Sequence, residues 1–145
     1  MDFMTALDIG ASGLSAERTH LNIISMNLAN VNTTRTPEGG PYRRKSVVFQ
    51  STPLDSPFTK AMRSELEREV KGVKVSGVVT DQRPLRRVYD PGHPDADGQG
   101  YVSLPDINVV EEMANMMTAL RTYEANAATI SSAKTMFNKA LELGR

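Results

Sequence analysis

Residues 106–145 read DINVVEEMANMMTALRTYEANAATISSAKTMFNKALELGR. Alternate steps of four and three from Val109 land on Val109, Met113, Met116, Leu120, Tyr123, Ala127, Ile130, Lys134, Phe137 and Leu141, nine of which are apolar. A heptad seam of this length, with neither proline nor glycine before Gly144, predicts one continuous helix lying against an equally long partner. Asn108 stands where its side chain accepts from free N–H groups of the first turn, and Glu111 completes a capping-box spacing. At 1.5 Å of rise per residue the helix would run for roughly 54 Å, more than a compact chain of this size requires.

The other end of the chain supplies the partner. Leu7, Leu14, Leu21 and Leu28 recur every seven residues, with Met4 and Ala11 three residues ahead of the first two. Arg18 and Ser25 weaken that second row, while Ile24 and Val31 widen the apolar face. Gly10 and Gly13 interrupt the helix interior at about 1 kcal/mol each relative to alanine. They read either as a tolerated weakness or as a bare patch for close helix approach or a hinge. Asn27, Asn30 and Asn32 crowd the helix end. Asn30 and Asn32 suit the left-handed conformation that stops a helix, and the group is expected to make side-chain amide contacts at a packed junction.

Between the ends, PYRRKSVVFQS (41–51), GVKVSGVVTD (72–81) and RPLRRVYD (83–90) place β-branched residues between turn formers, which predicts three or four short strands. Val73, Val75 and Val79 are expected on one face, with Gly77 marking a bulge or a close approach. The stretch FTKAMRSELEREVKG (58–72) is too poor in apolar residues to anchor a helix and reads as a loop. The expected fold class is mainly α: residues 1–32 and 106–145 are long helices that pair as one coiled-coil domain. Residues 33–105 form a small β-rich, hairpin-like middle segment.

Composition narrows the function. The 145 residues carry no net charge, so there is no electrostatic footprint for nucleic acid, and Arg43-Arg44-Lys45 is too short to supply one. MDFMTALDIG lacks the basic start and unbroken apolar core of a cleaved secretory signal, and no run approaches membrane-spanning length. The two histidines are far apart, with no nucleophile pattern, phosphate loop or spaced carboxylate pair. Asp95, Asp97, Gln99 and Asp106 partly copy a calcium loop, but Gln99 and Asp106 are the wrong ligands there and Pro91 and Pro94 forbid the entering helix. A polar turn is the expected reading, with His93 a loop residue. No catalytic, cofactor-binding or metal-ligating residue is assigned, and neither an enzyme nor a cofactor is expected.

LNIISMNLANVNT (21–33), YDPGHPDADGQGYVSLPDINVVEEM (89–113) and TALRTYEANAATISSAKTMFNKALELGR (118–145) together resemble the flagellar basal-body rod proteins. The first and last are common to axial proteins, whereas the middle stretch is similar to the proximal-rod members in particular. Pro105-Asp106-Ile107-Asn108 replaces the more usual Pro-Asn-Val-Asn, a conservative change at the helix cap. The resemblance implies a structural subunit whose terminal helices pair as an antiparallel coiled coil and self-assemble in a helical array with other rod subunits and adjacent basal-body proteins. It also implies export through the flagellar type III apparatus without a cleaved signal peptide, assembly in the periplasm and no membrane insertion. A soluble coiled-coil adaptor or export chaperone is the alternative.

The residues expected to carry assembly are Leu7, Leu14, Leu21, Asn27, Leu28, Asn30 and Asn32 on the first helix. On the second they are Met113, Met116, Leu120, Tyr123, Ala127, Ile130, Lys134, Phe137 and Leu141. Met113, Met116, Met117 and Met136 suit non-identical neighbours, because methionine adapts its shape. Lys134 is expected to set register through a carboxylate such as Asp2 or Asp8, or one on a neighbouring subunit.

Overall fold

The computed structural model describes residues 3–53 and 71–143. In chain order these form α1 (Phe3–Ala29), β1 (Lys45–Pro53), β2 (Lys71–Thr80), β3 (Arg86–Tyr89), β4 (Tyr101–Leu104) and α2 (Val109–Leu143). Two long helices thus flank a small region of two β-hairpins.

The helices run antiparallel over the whole of α1. Phe3 stacks on Phe137 with ring centroids 4.3 Å apart, Gly10 meets Ile130, Gly13 meets Asn126 and Asn27 bonds Glu112, so position rises along α1 as it falls along α2. A Cβ on Gly10 would sit 2.6 Å from Ile130 Cγ1, and one on Gly13 would sit 2.9 Å from Asn126 Nδ2. The glycines are therefore the bare patch of the two readings, and they let the α2 side chains come down onto the α1 backbone.

The buried lines differ from the expected seams. Along α1 the buried positions are Thr5, Gly10, Ala16, Ile23, Ile24 and Asn27, while Leu7, Leu14, Leu21 and Leu28 lie on the flank, half-buried. Along α2 the buried positions are Glu112, Ala119 and Ala133. Small positions on one helix receive larger side chains of the other, Gly10 against Ile130 and Gly13 against Asn126, and the close approach brings more backbone and Cβ atoms into contact.

Both helix termini use side-chain oxygens or nitrogens. Asn108 Oδ1 accepts from Val110 N–H at 3.1 Å and Glu111 N–H at 3.4 Å, the expected cap, although among the described residues no bond returns from Glu111. The exit of α1 departs from expectation. Among the described residues no non-glycine has positive φ, so neither Asn30 nor Asn32 is left-handed. Asn30 Nδ2 instead donates back to Met26 O at 2.8 Å, and Val31 N–H reaches Leu28 O in a tightened last turn.

β1 and β2 pair antiparallel from Lys45↔Thr80 to Pro53↔Lys71, with the register breaking between Val48↔Gly77 and Phe49↔Val75. Ser76 is the extra residue, so the bulge lies beside Gly77 and reverses the alternation. Val73 and Val75 consequently share a face with Val78, and Val79 turns to the other side, a correction to the face expected from alternation alone. No described atom lies within 4 Å of a Cβ position on Gly77, so the bulge and not a close approach accounts for it. The hairpin leans on α1 through His20 against Phe49, centroids 5.5 Å apart, and through Val73 N–H to Ser12 Oγ at 3.1 Å. The fourth strand is β4, which pairs with β3 from Arg86↔Leu104 to Tyr89↔Tyr101. The expected loop over 58–72 lies outside the described residues except for Lys71 and Gly72, which open β2.

Gly10→Ala would gain about 1 kcal/mol of helix propensity but incur about 1–3 kcal/mol of overpacking against Ile130. The expected outcome in thermal unfolding is a lower melting temperature. In an Ile130→Ala background, where both clashing carbons Cγ1 and Cδ1 are gone, Gly10→Ala should no longer lower the melting temperature.

Candidate functional site

α1, the segment entering β1, and the first turn of α2 converge on one buried amide. Asn27 is 1% exposed, and its side chain uses every hydrogen-bonding position it has. Nδ2 donates to Lys45 O at 2.8 Å and to Glu112 Oε2 at 2.9 Å. Oδ1 accepts from Lys45 N–H at 2.9 Å and from Tyr42 O–H at 3.0 Å. The amide therefore pairs with the Lys45 peptide as a neighbouring strand would, and ties the end of α1 to the start of β1.

Glu112 closes the junction from the α2 side. It is 0% exposed, and its second oxygen, Oε1, accepts from Arg44 Nε at 2.8 Å and Arg44 Nη2 at 2.6 Å. Arg44 is steered in turn by Nη1 donating to Ser46 Oγ at 2.9 Å. The Arg44 carbonyl accepts from Asp81 N–H at 2.8 Å, which extends the β1–β2 ladder past its last pair. Burial, then the nearby Glu112 charge, raises the Tyr42 pKa above its ordinary 10.0. Among the described residues no buried side-chain nitrogen or oxygen lacks a partner. The cost of removing such a charge from water offsets much of the attraction, so its full set of bonds is what makes the burial tolerable.

The β3–β4 loop is built separately. Asp97 Oδ1 accepts from Gln99 N–H at 2.9 Å and Tyr101 N–H at 3.0 Å, and Oδ2 takes Arg87 Nη2 at 2.6 Å. Those backbone bonds, reinforced by Arg87, hold the Asp97 carboxyl below its ordinary pKa. Asp95 Oδ2 accepts from Thr34 Oγ1 at 2.7 Å, and His93 Nδ1 accepts from Asp95 N–H at 3.1 Å. These side chains shape turns, and Gly100 at φ +81° packs under the Tyr89 ring.

The outer face of α2 is apolar along much of its length. Val110, Met113, Met117 and Leu120 are all exposed, as are Ala127, Lys134 and Leu141 further along. The sixteen residues expected to carry assembly thus divide three ways. Asn27 is buried in the junction, and Leu7, Leu14, Leu21, Leu28, Asn30, Met116 and Ile130 are half-buried. Asn32, Met113, Leu120, Tyr123, Ala127, Lys134, Phe137 and Leu141 are exposed. Among the described residues no carboxylate pairs with Lys134, and Asp8 is exposed. Sequence reasoning missed Glu112, Arg44 and Tyr42. The available signal was the second of two adjacent glutamates in the first turn, on a row with Ala119, Asn126 and Ala133 that a count of large apolar residues passes over.

Comparison with known proteins places the chain. Residues 7–35 match the family described as flagella basal body rod protein, and residues 99–143 match the flagellar basal body rod FlgEFG protein C-terminal family. The chain is 41% identical over 150 residues to the flagellar basal-body rod protein FlgC of Borreliella burgdorferi, covering 99% of this chain and 98% of that one. It belongs to the FlgC family of flagellar basal-body rod proteins. FlgC of Escherichia coli O6:H1 is 40% identical over the full length of both chains, and FlgC of Bacillus subtilis is 38% identical over 97% of each. As a FlgC-family member the chain is a structural subunit of the flagellar basal-body rod. The adaptor or chaperone alternative finds no support among these relatives.

Two outcomes test the junction. Arg44→Met leaves the Glu112 charge buried without its cation and is expected to cost about 3–5 kcal/mol in urea unfolding followed by helical circular dichroism. The raised pKa of Tyr42 means that its contribution is complete below pH 10.0 and is lost as pH rises through the folded value, because only the unfolded chain ionises readily. Tyr42→Phe should therefore lower stability at neutral pH and flatten its decline above pH 10.0.

Proposed function

We propose that the terminal helices pair as an antiparallel coiled coil forming one domain, with residues 33–105 an appended β-rich segment, and that this domain self-assembles in the helical array of the proximal rod. The observation that carries the reading is the exposed apolar row Val110, Met113, Met117 and Leu120 on a helix whose neighbouring row, Glu112 and Ala119, is buried. Apolar surface repeated at helical spacing is a binding face, since its exposure gains nothing for an isolated subunit. Val109–Leu143 spans about 52 Å at 1.5 Å per residue, enough to meet more than one neighbour.

The partners in this reading are other rod subunits and adjacent basal-body proteins. The half-buried leucines of α1 and the outer row of α2 are the surfaces offered, with Asn30 and Asn32 at the helix end and Lys134 choosing among partners along the row. Export through the flagellar type III apparatus without a cleaved signal, and assembly in the periplasm, complete the proposal. They rest on the family resemblance. Among the described residues, no helix is long and apolar enough to cross a membrane.

Leu120→Asp separates assembly from folding. Leu120 is 44% exposed, so the substitution should change the stability of the purified chain by no more than about 0.5 kcal/mol. In a strain carrying only the variant, swimming should fail and basal bodies seen by electron microscopy should lack complete rods. Normal swimming with Leu120→Asp, together with failure for His93→Ala, would move the functional surface to the β3–β4 loop.

A further inference from the structure

α2 carries two competing seams that share one row. Met116, Tyr123, Ile130 and Phe137 form the shared row. On one side of it run Glu112, Ala119, Asn126 and Ala133, and on the other Met113, Leu120, Ala127 and Lys134. At about 100° per residue the two outer rows lie a single residue's rotation apart, with the shared row between them. By apolar content the second row is the better candidate for burial, since Met113 and Leu120 are each worth about 1.5–3 kcal/mol when fully buried and alanine much less. The structure buries the first: Ala119 and Ala133 are 2% and 7% exposed, and Met113 and Leu120 are 56% and 44% exposed.

We infer that Glu112, held by Arg44 and Asn27, is a rotation lock that keeps α2 from burying its more apolar row. Two features of the junction fit this role. Glu112 is the one residue of the buried row whose side chain is gripped from two different elements, by Asn27 Nδ2 of α1 and by the Arg44 guanidinium ahead of β1. Those grips are charge-assisted and directional, so turning α2 by one residue would remove the carboxylate from both and bring Met113 against them. Of the glycine patch further along, Gly10 faces Ile130 of the shared row and is indifferent to the choice, whereas Gly13 faces Asn126 of the buried row and favours the same seam by close fit, without a charge or a directional grip. Glu112 thus acts as a positioning residue, and the loss of apolar burial is the cost of leaving the other row free.

The lock operates in the isolated chain, so its test does not depend on the rod reading. The chain has no cysteine, and a single thiol can be placed at Ala119→Cys or at Leu120→Cys and its labelling rate measured in the full-length protein. With Glu112 in place, Cys at 120 should label much faster than Cys at 119. Moving the carboxylate one residue along, in Glu112→Met/Met113→Glu, should reverse that order. The charge-free Asn27→Leu/Arg44→Met/Glu112→Met should shrink the ratio of the two rates about 5- to 30-fold, the effect of a preference changed by about 1–2 kcal/mol. An unaltered order in the exchanged variant would assign the choice of seam to the small-residue fit instead. Rapid labelling at both positions in that variant, the moved carboxylate having found no seat, would equally overturn the lock.

Discussion

The contact between the Glu112 carboxylate, the Asn27 amide and the Arg44 guanidinium is the constraint on which the rest of the architecture hangs. It joins the last turn of α1, the entry to β1 and the first turn of α2 in one hydrogen-bonded unit with no exposed carboxylate surface. Charges buried at such a point contribute less to stability than to uniqueness, because any arrangement that misplaces one partner strands the other. The helices beyond this point are held by small side chains and a few larger contacts, such as the stacked Phe3 and Phe137. That packing is close but uncharged, and the polar junction adds a directional grip on the rotation of α2.

Much of the fold was legible in the sequence, for reasons that can be assigned to particular residues. The heptad spacing over Val109–Leu143 marks a helix of the right extent, Asn108 caps it as its position suggests, and the three turn-bounded apolar runs became β1, β2 and β3. Periodicity located the contact line on α2 only to within one residue's rotation. Met116 and Ile130 belong to it, Met113 and Leu120 do not, and the deciding row consists of Glu112, Ala119 and Ala133. Hydrophobic counting treats alanine and glycine as weak signals and glutamate as a contrary one. A close-packed helix pair with a buried charge inverts that weighting.

The same limit shows in the hairpins. Alternation assigns Val79 to the face of Val73 and Val75, and a single unpaired Ser76 is enough to reverse it. Glycine near the middle of a strand announces that something is irregular but not which residue is left over. The junction asparagine was legible as a contact-making amide because three asparagines follow an apolar seam. Its partners were not, since Tyr42, Lys45 and Glu112 are brought to it by the return of the chain from both sides.

The Asn27–Glu112 bond spans 85 residues and draws the two ends of everything between the helices to one point. The middle of the chain therefore leaves and re-enters the helical pair through a single doorway, and closing that loop costs only about 0.6 kcal/mol more each time its length doubles. Seen from the helices, the intervening chain is moored twice, at that doorway and where the β1–β2 hairpin rests on α1 through Phe49 and Val73. A change of length in the turn between Tyr89 and Tyr101 leaves both moorings in place.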